Sequence, residues 1–524
     1  MSEDPPGDPL LSHKPSRLRL LYEPLSLLYT LGEVRGSRIK PCDIPQDGSG
    51  SGFNAIKSHR LFVDALAYAC AYKKEPAYIT AVALEKTPEE IVVWLAANKC
   101  VEPVVVTFVG RILQIVVWLA RNPSAQLTSD DGKGALHLLT TEVLRFNAPK
   151  IYAYYEDIVK RAAPRVVKQL SSERYESNPK VASFKHWLSS NLNKNGVQLQ
   201  EEDMEELAIK SHNSRDTFEV LRHLAMQSHE PQTFERLFKL LNKLGKHVVM
   251  CKRCVEATIT LRSDFARGMK VETVPGSREV LMPFSTRKYN IAGISNRMFG
   301  NTTEKETFLA RLKTIHETDE LNKMLAQKHL AGKTIVHAEL LILDHFERTG
   351  GDFLDNDDKY IGCSKPACYL CYQYICNHPG KYTRPPSHQK LYMRWRLPDI
   401  KENEPNAAQR FKSQERILRS MTEFVRGELS KDIANCASKL KPHPDSTAGQ
   451  TSTIFEAQTG LEDDMGSLSF QELRQRIDPD FQLRDRTPVS TDGSASSIRS
   501  RSSANTTGSE SDMEEYDSDG GVGV

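Results

Sequence analysis

The sequence predicts an α/β domain preceded by a large all-helical region and followed by a disordered tail. Between about Lys270 and Pro398, short β-prone runs such as Lys333 to Val336 and Lys359 to Cys363 alternate with helical stretches, the texture of a layered α/β domain. From about Leu18 to Arg267, apolar residues recur at spacings of three and four, as on one face of a helix. Beyond about Leu440 the chain turns to Ser, Thr, Gly and Asp and carries the acidic run Ser511 to Asp519, with too few apolar groups to offset the entropy of ordering. Four segments follow: a disordered start at 1–17, the helical region at 18–267, the α/β domain at 270–440 and an acidic Ser-rich tail at 441–524.

Within the helical region, Thr87-Pro88-Glu89-Glu90 has the form of a helix start. Thr87 can cap, Pro88 suits the first turn and Glu90 can close a capping box. The helix it opens is expected to run through Ile91-Val92-Val93-Trp94-Leu95-Ala96-Ala97-Asn98. Nearly the same string returns as Ile115-Val116-Val117-Trp118-Leu119-Ala120-Arg121-Asn122. Two copies predict a pair of neighbouring helices packed alike, since a solenoid needs about three repeats.

The apolar stretch Val104 to Ala120 is interrupted by Arg111 and Gln114 and bounded by Glu102 and Arg121. A buried helix is expected there, because a membrane span takes about 20 nearly uncharged residues. A further helical run, Glu201 to Lys243, leads to Cys251 and Cys254, which lack a matching second pair and read as packed thiols. Past the α/β texture, Asn406 to Leu440 reads as a helix able to pack on that domain.

Ten cysteines are too sparse for a disulfide scaffold in a chain of 524 residues, and four of them fall between Cys363 and Cys376. Met1 to Pro15 is acidic and Pro-containing, without the basic start and apolar stretch of a secretory signal. An intracellular protein, cytoplasmic or nuclear, with no membrane association is therefore expected. Clustered cysteines in a reducing compartment point to metal binding or chemistry. The formal charge of +2 hides an asymmetry: residues 441–524 hold 16 Asp or Glu against 7 Lys or Arg, a net of −9, which leaves +11 on the first 440. A basic body with an acidic tail is compatible with binding a polyanion.

The cysteine cluster pairs with a second motif. His337-Ala338-Glu339 follows the apolar run Thr334-Ile335-Val336 and opens a strongly helical stretch, so both polar side chains sit at a strand-to-helix junction. In Gly362-Cys363-Ser364-Lys365-Pro366-Ala367-Cys368-Tyr369-Leu370-Cys371, Pro366 suits a first helical turn and Cys368 and Cys371 lie one turn apart on one face. A helix N-terminus favours thiolates through its free amides and partial positive charge. Two thiolates and one imidazole leave a fourth tetrahedral position open, as a catalytic zinc site requires. Glu339 is then placed to take a proton from water and return it to a leaving amine.

These residues resemble the signature of the zinc-dependent nucleotide and nucleic-acid deaminases, His-x-Glu followed by Pro-Cys-x-x-Cys. More closely, Ser364-Lys365-Pro366-Ala367-Cys368-Tyr369-Leu370-Cys371 resembles the Ser-Lys-x-x-Cys-x-x-Cys form of a deaminase-like family expanded in fungi and related to bacterial toxin deaminases. The resemblance implies a cytidine-deaminase-like three-layer α-β-α domain of about five strands. It also implies one zinc per chain held by His337, Cys368 and Cys371, with Glu339 as the catalytic carboxylate. Pro366 stands two residues before Cys368, where the general signature has one.

The expected function is hydrolytic deamination of a nucleobase, cytosine ahead of adenine, in a nucleic acid or nucleotide. A polymeric substrate would be single-stranded or flipped out, since a duplex hides the amine-bearing carbon. Downstream, Tyr382, Arg384, His388, Lys390, Tyr392, Arg394, Trp395 and Arg396 alternate bases with aromatics, the composition of either a base-stacking surface or a half-buried strand. Lys365, His388 and Trp395 are the candidates for substrate contact. The helical region is left for protein partners, oligomer contacts or substrate selection. Three other readings stay open: a closed knuckle of Cys363, Cys368, Cys371 and Cys376, reduced core thiols without metal, and a catalytically inactive, zinc-stabilised scaffold.

Overall fold

The computed structural model describes residues 9–43, 51–172, 175, 177–192, 200–282, 289–315, 317–329 and 332–434. The expected tail at 441–524 lies outside the described residues, as do residues 1–8 of the expected disordered start. Residues 9–17 are in place: Leu10–Leu11 pairs antiparallel with Ile400–Lys401, and helix Pro15–Leu31 begins directly afterwards.

The fold is α/β, mostly helical with small sheets. Its central sheet has four strands in the order Met269–Thr273, Ile91–Ala97, Thr80–Lys86 and Gly362–Cys363. The second and third form an antiparallel hairpin from Thr80↔Ala97 to Lys86↔Ile91. Met269–Thr273 joins parallel to Ile91–Ala97, and Gly362–Cys363 joins antiparallel to Thr80–Lys86. Beside this sheet, Val280–Leu281 pairs with Lys333–Thr334.

Alternation along the hairpin decides what each face meets. Val82, Leu84, Val93 and Leu95 point into a core shared with helices Ser51–Cys70, Pro103–Arg121 and the later part of Pro231–Thr260. Each such side chain contributes about 1.5–3 kcal/mol by leaving water. Ala81, Ala83 and Ala96 face the other way, and their small side chains let helix Ala338–Thr349 approach closely. Helices Pro15–Leu31 and Ala407–Ala434 pack together on that same side, tied by an Arg35–Asp432 ion pair.

The helix expected at Ile91–Asn98 is a strand. Thr87 and Glu90 do bond to one another, but across a hairpin turn: the Thr87 hydroxyl oxygen accepts the Glu90 N–H at 3.1 Å, and Thr87 N–H donates to the Glu90 carbonyl at 3.1 Å. The β-branched run that follows zips onto Thr80–Lys86. Its near-duplicate, Ile115 to Arg121, lies inside helix Pro103–Arg121. The 18–267 region is therefore not all helical, because it supplies two of the four sheet strands. The described sheet also has one strand fewer than the five the resemblance implied.

Helix Pro103–Arg121 is the one helix among the described residues long and apolar enough to cross a membrane, and its Phe108, Ile112 and Val116 are buried in the sheet's core. Cys251 and Cys254 are buried in the same core. A third core is helical throughout and runs from helix Ala148–Asp157 to the first half of Pro231–Thr260.

Candidate metal centre

Two strand-to-helix turns build the site. Helix Ala338–Thr349 forms because Leu340, Leu341, Leu343 and Phe346 cover the alanine face of the sheet, and it ends at Gly350, whose φ of +71° is the left-handed conformation glycine adopts readily. His337 is its N-cap, at φ −76° and ψ 153°, and makes no side-chain cap bond. The cap comes from elsewhere: Asn98, at the end of strand Ile91–Ala97, accepts the Ala338 N–H at 2.9 Å through its side-chain oxygen. Its side-chain amide also donates to the Pro76 carbonyl at 2.9 Å.

The second turn opens helix Tyr369–Cys376, with Cys368 as N-cap and its sulfur accepting the Cys371 N–H at 3.4 Å. One extended segment holds both turns in register. At one end, Ala367 N–H donates to the Pro386 carbonyl at 2.8 Å and Tyr369 N–H to the Lys390 carbonyl at 3.0 Å. At the other, Ile335 N–H donates to the Arg394 carbonyl at 2.7 Å and Arg396 N–H to the Ile335 carbonyl at 3.0 Å.

The outcome is convergence of three donor atoms. His337 Nδ1 lies 3.5 Å from Cys368 Sγ and 3.4 Å from Cys371 Sγ, and all three ligating atoms fall within 4.8 Å of one another. Zinc bonds of about 2.0 Å to nitrogen and 2.3 Å to sulfur at tetrahedral angles imply N···S edges of about 3.5 Å, close to those observed. A nitrogen with two sulfurs is also a donor set that suits zinc. Cys363 and Cys376 stay out of the cluster. The first borders a cavity beside Glu339, and the second is half-buried on the far end of its helix.

The charges follow from burial and proximity. Burial opposes ionisation of Cys368, yet the Cys371 thiol and His337 outweigh it and hold Cys368 well below the usual thiol range. Cys371 is pushed well above that range by burial and by its neighbour Cys368. Burial works against a charged His337, but the Cys368 sulfur raises it above the ordinary imidazole value. Glu339 is 5% exposed, and burial lifts its carboxyl to about 7 against the pull of His337. A carboxyl poised near neutrality suits a group that must take up and give back a proton.

Glu339 borders a cavity of about 10 Å³ with Asp64, Tyr360, Cys363, Lys365 and Thr383. Asp64 comes from helix Ser51–Cys70, and the Tyr360 hydroxyl donates to its two oxygens at 3.1 and 3.0 Å. Burial raises Asp64 to about 6. Sequence reasoning missed both Asp64 and Asn98. Neither carries a motif, and each lies more than 200 residues from Glu339 along the chain.

Of the substrate candidates, Lys365 is at this cavity. His388 is 2% exposed, and its Nδ1 accepts the Lys390 N–H at 3.0 Å. Trp395 is fully buried in the core, so it supports the site from within and offers no face to a base. The stretch from Tyr382 to Arg396 is neither a stacking platform nor a regular strand. Arg396 grips Asp399 at 2.6 and 2.8 Å, and the Tyr382 hydroxyl donates to Glu347 at 2.8 Å. The aromatic that reaches the site is half-buried Tyr392, with its ring centroid 6.3 Å from that of His337 and 5.7 Å from that of His388.

An imidazole and two thiols thus gather at two helix starts, with a buried carboxyl two residues from the imidazole. Residues 336–399, which span the His337 turn, the Cys368 turn and the extended segment across them, match the family model described as "OTT_1508_deam:-like deaminase". No curated protein and no solved structure matches the chain.

Proposed function

We propose that the protein is a zinc-dependent hydrolytic deaminase of a nucleobase, with cytosine favoured over adenine, in a nucleic acid or nucleotide. The observation that carries this reading is the convergence of His337 Nδ1, Cys368 Sγ and Cys371 Sγ beside the buried carboxyl of Glu339. His337, Cys368 and Cys371 would hold one zinc ion, which supplies Lewis acidity and a water-derived nucleophile at neutral pH. Glu339 takes a proton from the attacking water and delivers protons to the ring nitrogen and to the departing amine. Water adds at the amine-bearing carbon, the C–N bond breaks, and ammonia leaves as a carbonyl forms.

Lys365 and Asp64 border the same water-sized cavity as Glu339. Helices on both faces of the sheet support a three-layer cytidine-deaminase-like architecture for this part of the chain. The +11 charge on the first 440 residues favours a single-stranded polyanion over a free nucleoside. The helical part is left for protein partners, in an intracellular, cytoplasmic or nuclear, setting. The test is a screen for ammonia release from each amine-bearing base, free and within single strands, with Glu339→Gln as control. Deamination that is lost in the variant while zinc stays bound supports the reading. Equal activity in both forms, or none in either, refutes it, and the second result leaves a zinc-stabilised scaffold.

A further inference from the structure

A second cavity, of about 400 Å³, lies between the first half of helix Ser51–Cys70 and the loop that follows helix Ala338–Thr349. Its walls divide by chemistry. Ile56, Leu261 and Phe353 are apolar, and Asp264, Asp352 and Asp355 bring carboxylates. Lys86 also lines it, paired to Asp264 at 3.6 Å, so three acids face one base. The acids are held by their surroundings: Asp355 accepts the N–H groups of Asp357 at 2.9 Å and Asp358 at 3.3 Å, and Asp352 accepts the Asn356 side-chain amide at 2.9 Å.

His59 belongs to the same wall. It is 2% exposed, and neither of its ring nitrogens has a hydrogen-bond partner among the described residues. A buried polar atom left without a partner costs about 1–3 kcal/mol, so a bare imidazole on a cavity wall points to a ligand that supplies the missing bond. A metal ion does not account for it. Among the described residues only His337, Cys368 and Cys371 bring metal-ligating atoms within 4.8 Å of one another.

We propose that this cavity binds a small organic cation, an alkyl chain bearing ammonium or guanidinium groups. The chain lies along Ile56, Leu261 and Phe353, the charged ends meet Asp264, Asp352 and Asp355, and an N–H of the cation donates to the His59 ring. Burial holds His59 at about 4, below the ordinary imidazole value, so its ring is neutral at pH 7 and keeps a lone pair to accept that bond. The volume matches that of small-molecule sites, which run from about 300 to 1,000 Å³.

This cavity is linked to the one beside Glu339. Arg60, next to His59 in the chain, holds Asp358 with bonds of 2.9 and 2.8 Å, and Asp358 accepts the hydroxyl of Thr383 at 2.6 Å. Thr383 borders the Glu339 cavity.

The test is titration calorimetry on the full chain with agmatine and spermidine as probes and glutarate as the anionic control, at about 0.15 M salt to suppress loose ion pairing. One saturable site for either cation is expected, with no heat from glutarate. Asp264→Asn and Asp352→Asn should each weaken binding about tenfold, the loss of one charged hydrogen bond. Ala55→Trp fills the cavity without removing a charge and should abolish binding while the circular dichroism spectrum is retained. Glu339→Gln should bind as the parent does, which separates this site from the metal centre. No saturable binding of either cation, or the same affinity in folded Ala55→Trp as in the parent, overturns the proposal.

Discussion

Replacing Asn98 by Ala removes a side chain that ties the sheet directly to the His337 turn. Asn98 is 3% exposed and makes two bonds through its side chain, accepting from Ala338 N–H and donating to the Pro76 carbonyl, each at 2.9 Å. A net hydrogen bond is worth about 1 kcal/mol, and a lost helix cap costs about 1 kcal/mol on the same scale. Part of the two overlaps, since the cap is one of the bonds, but the Ala338 N–H is then left buried without a partner. The expected destabilisation is about 2–3 kcal/mol.

The same change frees the turn carrying His337 and Glu339, and groups that orient metal ligands are typically worth about 10–100-fold in metal affinity. Urea unfolding of the full chain reads the first quantity and competition with a zinc chelator the second. Asn98→Asp keeps an oxygen for the Ala338 N–H and gives up only the bond to Pro76, so it should retain more zinc affinity than the alanine variant. A stability change within about 0.5 kcal/mol, the range of an uninvolved surface site, together with unchanged zinc affinity in Asn98→Ala, would refute the role of this residue.

Three further outcomes are expected. Zinc content, read by metal analysis, should be about one per chain, lost in Cys368→Ser and Cys371→Ser and kept in Cys363→Ser and Cys376→Ser, because only the first two sulfurs converge on His337. Glu339→Gln should lower ammonia release by about 10²–10⁴-fold, the span of general acid–base catalysis, without loss of zinc. Relative to His59→Gln, the parent should lose stability as pH drops from about 6.5 to about 4, measured by urea unfolding of both across that range. His59 stays neutral in the folded protein down to about 4, whereas the unfolded chain takes up its proton near 6.5, so acid favours the unfolded state. A shift of that size corresponds to about 3 kcal/mol, and His59→Gln should flatten this part of the profile.

The candidate metal centre was legible because its chemistry is local. His337 and Glu339 share one turn, Cys368 and Cys371 another, and the residues that start each helix are adjacent to the ligands themselves. What holds the two turns together was not legible. The strap from Pro386 to Arg396 works through backbone bonds that any sequence can make, and Trp395 looks the same on paper whether it stacks on a base or fills a core.

The near-duplicate strings mark the same boundary within the fold. Ile91 to Ala97 and Ile115 to Arg121 share their first six residues, yet one is a strand and the other a helix. Local preference is almost identical in the two. The first follows a Thr87–Glu90 turn that returns it against Thr80–Lys86, whereas the second continues a helix already started at Pro103. The sequence alone marked His337, Glu339, Cys368 and Cys371 and the alternation of apolar positions, since these depend on neighbours within one turn. The tertiary structure decided which apolar string became sheet, through pairing with Thr80–Lys86 and Met269–Thr273, and brought Asn98 and Asp64 to the site from more than 200 positions away, because such contacts outweigh propensities of a few tenths of a kcal/mol per residue.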